Sequence, residues 1–245
     1  MDRHTRVALV LSIVMPAHNE RALLEESVRE VSDGLRAAGR AFELLVVENG
    51  SGDSTLALAQ RLAATVPEVH VHTLTQPDYG KALRTGLVAA TGDVVVTFDV
   101  DYYDLAFLDR ALALMTRTDH AADVVIASKR AAGAHDARPL LRRFVTAAFA
   151  VLLRVGFGLR VSDTHGMKAL RRAAVEPLAR RCRFGTDLFD TELVLRAERA
   201  GLVIVELPVR VEERRPSRTP IWRRVPRTLV GLTRLRLALW REARA

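Results

Sequence analysis

Four runs of β-forming residues, at 7–15, 42–47, 69–74 and 94–101, each end in a cluster of turn-forming or acidic residues. The first three are followed by helical patterns, starting near Arg21 and running over 56–64 and 82–90. Strands alternating with helices at this spacing predict an α/β fold, with a mostly parallel sheet flanked by helices on both faces. Ligands of such sheets bind beyond the carboxyl ends of the strands. The polar clusters all fall at those ends, as Pro16-Ala17-His18-Asn19-Glu20, Glu48-Asn49-Gly50-Ser51-Gly52-Asp53-Ser54-Thr55 and Pro77 to Gly80.

The fourth run, Val94-Val95-Val96-Thr97-Phe98-Asp99-Val100-Asp101, ends in two carboxylates. At the edge of a sheet, where the chain turns, both can reach one hard cation while a substrate oxygen completes its shell. Asp99 and Asp101 are therefore the expected ligands of Mg2+ or Mn2+ in a diphosphate site.

The order and spacing of these segments resemble a known family. Pro16-Ala17-x-Asn19-Glu20, Val46-Val47-Glu48-Asn49-Gly50-Ser51-x-Asp53-x-Thr55, Gly80-x-Ala82-Leu83-Arg84-x-Gly86, Gly92-Asp93 and Asp99-x-Asp101 are similar to motifs of family-2 glycosyltransferases of the GT-A fold. Ile126-Ala127-Ser128-Lys129, Asp163-Thr164-His165-Gly166-Met167-Lys168 and Phe189-Asp190-Thr191-Glu192-Leu193 narrow the resemblance to dolichyl- or polyprenyl-phosphate mannose or glucose synthases. It covers roughly residues 10–215. What it implies is a GDP- or UDP-hexose donor held by Pro16, Ala17, Asn19, Glu20, Glu48, Ser51, Gly80, Lys81, Arg84 and Asp99, and a polyprenyl-phosphate acceptor. Tyr103 stands where many relatives carry Gln or Ser, so a third metal contact is expected to be lost or supplied by water.

A divalent ion between Asp99 and Asp101 would stabilise the departing diphosphate. A phosphomonoester acceptor is already anionic at pH 7 and needs positioning rather than a base. Lys129 and Arg143 are the expected acceptor cations, with Arg130 and Arg142 as register alternatives. Direct attack inverts the anomeric centre. If the acceptor is instead a hydroxyl, Asp190 and Glu192 are the carboxylates able to serve as base. A non-catalytic, membrane-bound nucleotide-sugar sensor is the alternative outside enzymology.

The 245 residues, 49% of them hydrophobic, suffice for one sizeable core. Residues 1–220 are expected to form the glycosyltransferase domain and 221–245 a basic amphipathic helix. The single cysteine excludes an internal disulfide. The net charge of +8 invites a nucleic-acid partner, but arginines concentrate from Arg138 onward without interleaved aromatics, so none is expected. Along 221–245, Ile221, Val225, Leu229, Leu232, Leu235 and Leu239 line one helix face, Arg223, Arg224, Arg227, Arg234, Arg236 and Arg241 populate the rest, and Trp222 and Trp240 sit near the ends. That pattern predicts an interfacial helix on a membrane surface. The apolar run at 144–153 is too short to span a bilayer and suits a core or interfacial helix. With no leader expected, the chain should sit in the cytoplasm, peripheral on the inner face of the membrane.

Overall fold

The computed structural model describes residues 9–136, 140–211 and 221–242, without the side chains of 136, 142, 187, 210, 211, 221–225 and 227. Strands β1 (Leu11–Ala17), β2 (Phe42–Asn49), β3 (Val69–Leu74) and β4 (Val94–Thr97) alternate with helices α1 (Leu24–Ala37), α2 (Thr55–Thr65) and α3 (Tyr79–Ala89). Next come α4 (Leu105–Met115), β5 (Val124–Ser128), the short β6 (His135–Asp136) and α5 (Leu140–Phe157). The chain continues through β7 (Lys168–Arg171), α6 (Arg172–Arg181), a 3-10 turn (Thr186–Leu188) and α7 (Phe189–Arg199). It ends in β8 (Ile204–Pro208), β9 (Arg210–Val211) and α8 (Ile221–Glu242).

The main sheet has the order β3-β2-β1-β4-β7-β5-β8. Its neighbours are parallel except at β7, which runs antiparallel to β4 and β5. Successive strands lead outward from β1 to β2 and β3, and the chain then returns to place β4 on the other side of β1. Such a reversal opens a crevice at the strand ends, which is where an α/β sheet binds ligands.

Period-two alternation sorts the strand side chains between two cores. Ile13, Met15, Leu44, Val46, Val94 and Val96 join the cluster that α1, α2 and α4 cover. Val14, Leu45, Val47 and Val95 join the one covered by α3, α6, α7 and α8 with Leu153 of α5. Burial on both faces explains why these strands read as unbroken apolar runs. The helix starts depart from periodicity for local reasons. α3 begins at Tyr79 rather than near Ala82 because the carboxylate of Asp78 accepts the Lys81 N–H at 2.9 Å and caps the first turn. α1 begins at Leu24 rather than near Arg21, after a turn in which the Glu20 carbonyl accepts from the N–H groups of Leu23 and Leu24.

The C-terminal helix corrects the expectation drawn from its leucines. Leu232, Leu235 and Leu239 are buried in the α7-side core, so this part of the series is a packing face, whereas Leu229 of the same series is exposed. The side chains of Ile221, Trp222 and Val225 lie outside the described residues. A second apolar stripe, Leu229, Val230, Leu237 and Trp240, faces outward. α5 repeats the arrangement: Leu153 is buried, whereas Leu140, Leu141, Phe144, Val151, Leu152 and Val155 are exposed. An Arg236 Nη1 to Gly156 carbonyl bond of 2.7 Å joins the two helices. Among the described residues no helix is long and apolar enough to cross a membrane.

Candidate active site

Past β4 the chain turns back at once. The backbone groups of Asp99 and Tyr102 exchange two hydrogen bonds, both 3.1 Å, closing a tight turn around Val100 and Asp101. This turn lies at the β1/β4 reversal and gathers negative charge. Burial pushes the Asp99 carboxyl up to about 6; the Tyr79 hydroxyl opposes this, Asp101 and Asp190 add to the rise, and Lys168 opposes it. Tyr79 donates to Asp99 Oδ1 at 2.9 Å from the first turn of α3. Burial also pushes the neighbouring Tyr102 phenol up to about 12, reinforced by Asp104, Asp163 and Asp99.

Hydrogen bonds tie the loops around this turn to one another. His18 Nδ1 donates to the Asn49 carbonyl at 2.8 Å, and His18 Nε2 accepts from Asn19 Nδ2 at 3.1 Å. Asn19, held at φ 55°, donates its N–H to Ser51 Oγ and accepts from the Gly52 N–H at 2.9 Å. The Glu20 N–H donates to Thr55 Oγ1 at 2.9 Å, and Glu48 Oε1 accepts from the Ser51 N–H at 2.6 Å. Gly50 has φ 61°, and a Cβ there would come 2.9 Å from the Gln76 backbone, so glycine is required twice over. Asn49 Oδ1 accepts from the Asp78 N–H at 2.7 Å, and Asp78 Oδ1 accepts from the Thr186 N–H at 2.6 Å. Segments 16–20, 48–55, 78–81 and 185–186 thus form one polar frame.

Two ion pairs complete the floor. Lys168 is 1% exposed, and its Nζ donates to Asp190 Oδ1 at 2.8 Å and to the Gly166 carbonyl at 2.9 Å. Lys129 Nζ stands 3.4 Å from Asp163 Oδ2, a buried oxygen with no hydrogen bond among the described residues. Thr164 links this pair to α7 through Thr191 Oγ1 at 3.1 Å. The ring of His165 packs against Phe149 of α5, with centroids 5.8 Å apart.

The structure therefore brings together Asp99, Asp101 and Asp190, the loops bearing Asn19, Glu20, Glu48 and Ser51, and the capped turn bearing Gly80 and Lys81. Pro16 and Ala17 are the last residues of β1 and reach the frame through the backbone. Glu48 is only 3% exposed and already accepts from Ser51, which makes it a brace for the loop. Gly80 serves packing, since a Cβ there would lie 2.7 Å from Gly185, Thr186 and Phe189 atoms. Two residues have partners outside the polar frame. Arg84 donates to the Arg180 carbonyl at 2.9 Å. Glu192 is fully buried against α6 and α8; it accepts the N–H groups of Arg183 and Phe184 at 2.9 Å and pairs with Arg196. Tyr103 bonds to Glu30 and packs on Phe98. Arg130 and Arg143 are exposed, Arg143 on α5, and the Arg142 side chain lies outside the described residues. The sequence carries no signal for the roles of Tyr79, Asp163 and Lys168, whereas Asp78, after Pro77 and before an apolar run, is a cap signal.

The donor set fits a hard divalent cation. Asp99 and Asp101 offer only oxygen, and burial, reinforced by the nearby Asp101 and Asp190 carboxylates, raises the Asp99 carboxyl. No group of three or more metal-ligating side chains occurs among the described residues, which leaves further coordination to substrate oxygens and water.

Comparison with known proteins agrees with this geometry. Residues 12–178 match the family described as Glycosyl transferase family 2. Glycosyltransferase AglD of Haloferax volcanii is 31% identical over 210 residues, covering 84% of this chain and 33% of that relative. An uncharacterized glycosyltransferase of Mycobacterium tuberculosis is 34% identical over 201 residues, covering 81% and 84% respectively. The dolichyl-phosphate beta-glucosyltransferase ALG5A of Trichomonas vaginalis is 26% identical, covering 84% and 67%. Among solved structures, glucosyl-3-phosphoglycerate synthase from Mycobacterium tuberculosis in complex with Mg2+ and uridine-diphosphate superposes with a TM-score of 0.67 over 93% of this chain and 79% of that one, at 21% identity. The chain therefore belongs to glycosyl transferase family 2, and its activity is that of a glycosyltransferase on the GT-A fold.

Proposed function

We propose that this glycosyltransferase moves a hexose from a GDP- or UDP-linked donor to a polyprenyl phosphate, with inversion, while docked on the cytoplasmic face of a membrane. The observation that carries the acceptor is the distribution of exposed apolar residues. Apart from Val10, Tyr79 and Val203, the exposed large hydrophobics among the described residues all lie on α5 and α8. Arg143 and Arg154 flank the α5 stripe, Arg234, Arg236 and Arg241 flank that of α8, and 140–157 contains no acidic residue. Apolar faces rimmed by arginine suit shallow insertion into an anionic bilayer, where a lipid-linked acceptor resides.

The chemistry follows from the side chains. In this reading Asp99 and Asp101 hold Mg2+ or Mn2+, which when bound neutralises charge on the leaving diphosphate. Tyr79 orients Asp99. Lys129, kept near the site by Asp163, receives the acceptor phosphate, and Arg143 on α5 supplies a second cation. The anionic acceptor oxygen attacks without a base. Asp190 and Glu192, the two carboxylates that a hydroxyl acceptor would call upon, are engaged by Lys168 and Arg196, which weighs toward the phosphate.

The test is transfer from a panel of UDP- and GDP-hexoses with polyprenyl phosphate in phosphatidylglycerol vesicles. Product should form there, vanish in chelator, and fall about 100-fold or more in Asp101→Asn, as expected for losing roughly 3 kcal/mol of transition-state stabilisation. Efficient transfer to sugar hydroxyls with no lipid phosphate present would overturn the acceptor assignment.

A further inference from the structure

Arginines of two separated segments converge on a cavity that the reaction above does not use. It has a volume of about 550 Å³ and is lined by Arg84 of α3, Arg180 and Arg181 at the end of α6, Cys182 and Arg183 beyond it, and Glu242 at the end of α8. None of these residues belongs to the Asp99 turn or to the polar frame around it. Their charge is unbalanced, with four guanidinium groups facing one carboxylate. The nearest other acids are spent: Glu176 pairs with Arg180 on its own helix, and buried Glu192 pairs with Arg196.

Capping accounts for only part of the donor capacity. Arg84 gives one N–H to the Arg180 carbonyl at 2.9 Å, which satisfies an end of α6. A guanidinium carries five N–H donors in a planar fork. Glu242 displays how the cavity treats an anion. Its carboxylate is 3.1 Å from Arg183 Nη2, 2.9 Å from Arg196 Nη1 and 4.0 Å from Arg181 Nη2. Arg181 thus stays beyond hydrogen-bond reach of Glu242, with its charge turned to the cavity it shares with Arg84. The floor adds no charge, because burial pushes the Cys182 thiol up to about 12 and keeps it protonated. A neutral thiol also makes this a place for binding, without covalent chemistry.

We propose that this cavity is a binding site for a phosphate-class anion, recognised by Arg84, Arg180, Arg181 and Arg183 and separate from the donor site. Paired forks match phosphate oxygens better than a single carboxylate does, and a second phosphate adds contacts, so a diphosphate should bind more tightly than a monophosphate. Occupancy would bear on two segments that also frame the catalytic turn. Arg84 follows Tyr79 by five residues on α3, and Arg183 precedes Gly185 by two. The anion can come from a soluble diphosphate or from a lipid headgroup.

The experiment is calorimetry of the whole protein with inorganic pyrophosphate in chelator, so that the donor site is not loaded through a metal. Wild type and Asp101→Asn should bind alike. Arg84→Gln with Arg181→Ala should weaken binding about tenfold or more, the loss of one charge-assisted contact being worth roughly that factor. Should the double variant fold poorly by thermal melt, Glu242→Gln gives the opposite readout: removal of the competing carboxylate should tighten pyrophosphate several-fold. Co-sedimentation with phosphatidylglycerol vesicles in excess pyrophosphate separates the sources. A headgroup ligand predicts that pyrophosphate releases the protein, and a soluble ligand predicts that it does not. No heat with wild type, equal affinity in the double variant, or loss confined to Asp101→Asn would each overturn the proposal.

Discussion

Asp190 and Glu192 stand two residues apart in the first turn of α7 and finish in different regions of the molecule. Positions two apart on a helix are about 200° apart around its axis, so the carboxylates face opposite ways. Asp190 meets Lys168 of β7 beneath Asp99, where its charge acts on the catalytic turn. Glu192 meets Arg196, which continues to Glu242 and fastens α7 to α8. One short motif thus sends one carboxylate toward the Asp99 turn and the other into the scaffold.

The sharpest way to break that division is to neutralise each carboxylate. Asp190→Asn strands the buried Lys168 and should cost roughly 3–5 kcal/mol in denaturant unfolding, whereas Glu192→Gln leaves Arg196 its Glu242 partner and should cost less. Their kinetics should part: folded Glu192→Gln keeps kcat and the donor KM, whereas folded Asp190→Asn loses kcat. Equal catalytic loss in the two would erase the distinction.

The two sides of α8 offer a second comparison, somewhat smaller in energy. Leu235→Ala on the inner side should cost about 2–5 kcal/mol and leave vesicle binding unchanged. Leu237→Glu on the outer side should change stability by less than about 0.5 kcal/mol and abolish sedimentation with anionic vesicles. An outer variant that unfolds the protein while still binding vesicles would reverse the two faces.

Acidity at the catalytic turn gives the third. Asp99 titrates near 6 when folded, against roughly 3.9 in an unfolded chain. Between those values the unfolded chain gives up its proton first, so the contribution of Asp99 to stability falls as pH rises and settles above about pH 6. The size is on the order of 2–3 kcal/mol in metal-free protein. Asp99→Asn should therefore be more stable than wild type at pH 7 in chelator, with the gap closing near pH 4. A gap independent of pH would place the shift elsewhere. Smallest is Tyr79→Phe, which removes one hydroxyl from Asp99 and should lower kcat by a few-fold, as for a hydrogen bond worth roughly 0.5–1.5 kcal/mol; an unchanged kcat would leave that bond without a role.

The legible parts of the molecule were those governed by local pattern. Continuous apolar runs marked β1 to β4, and the polar segments at their ends marked the crevice, since burial on both faces and ligand binding at strand ends follow from the sheet itself. Asp99 and Asp101 were legible because they directly follow such a run. The partner of Arg84 was hidden because a motif fixes which helix a residue occupies, while the hydrogen bond it makes depends on what packs there, here the end of α6. The antiparallel β7 was equally hidden, as nothing in Lys168–Arg171 specifies the direction of its neighbours.

Residue order alone determined the α/β alternation, the carboxylate turn after the fourth strand, and the arginine-rich, leucine-patterned tail. The tertiary structure decided the partners: Tyr79 on Asp99, Asp163 beside Lys129, Leu232, Leu235 and Leu239 of α8 in the core with Leu229 on an outer stripe, and four arginines around one cavity. Periodicity records which side chains share a face. Which face is covered depends on contacts between residues far apart in the chain, such as Leu235 of α8 with the α7 side of the sheet and Arg196 with Glu242.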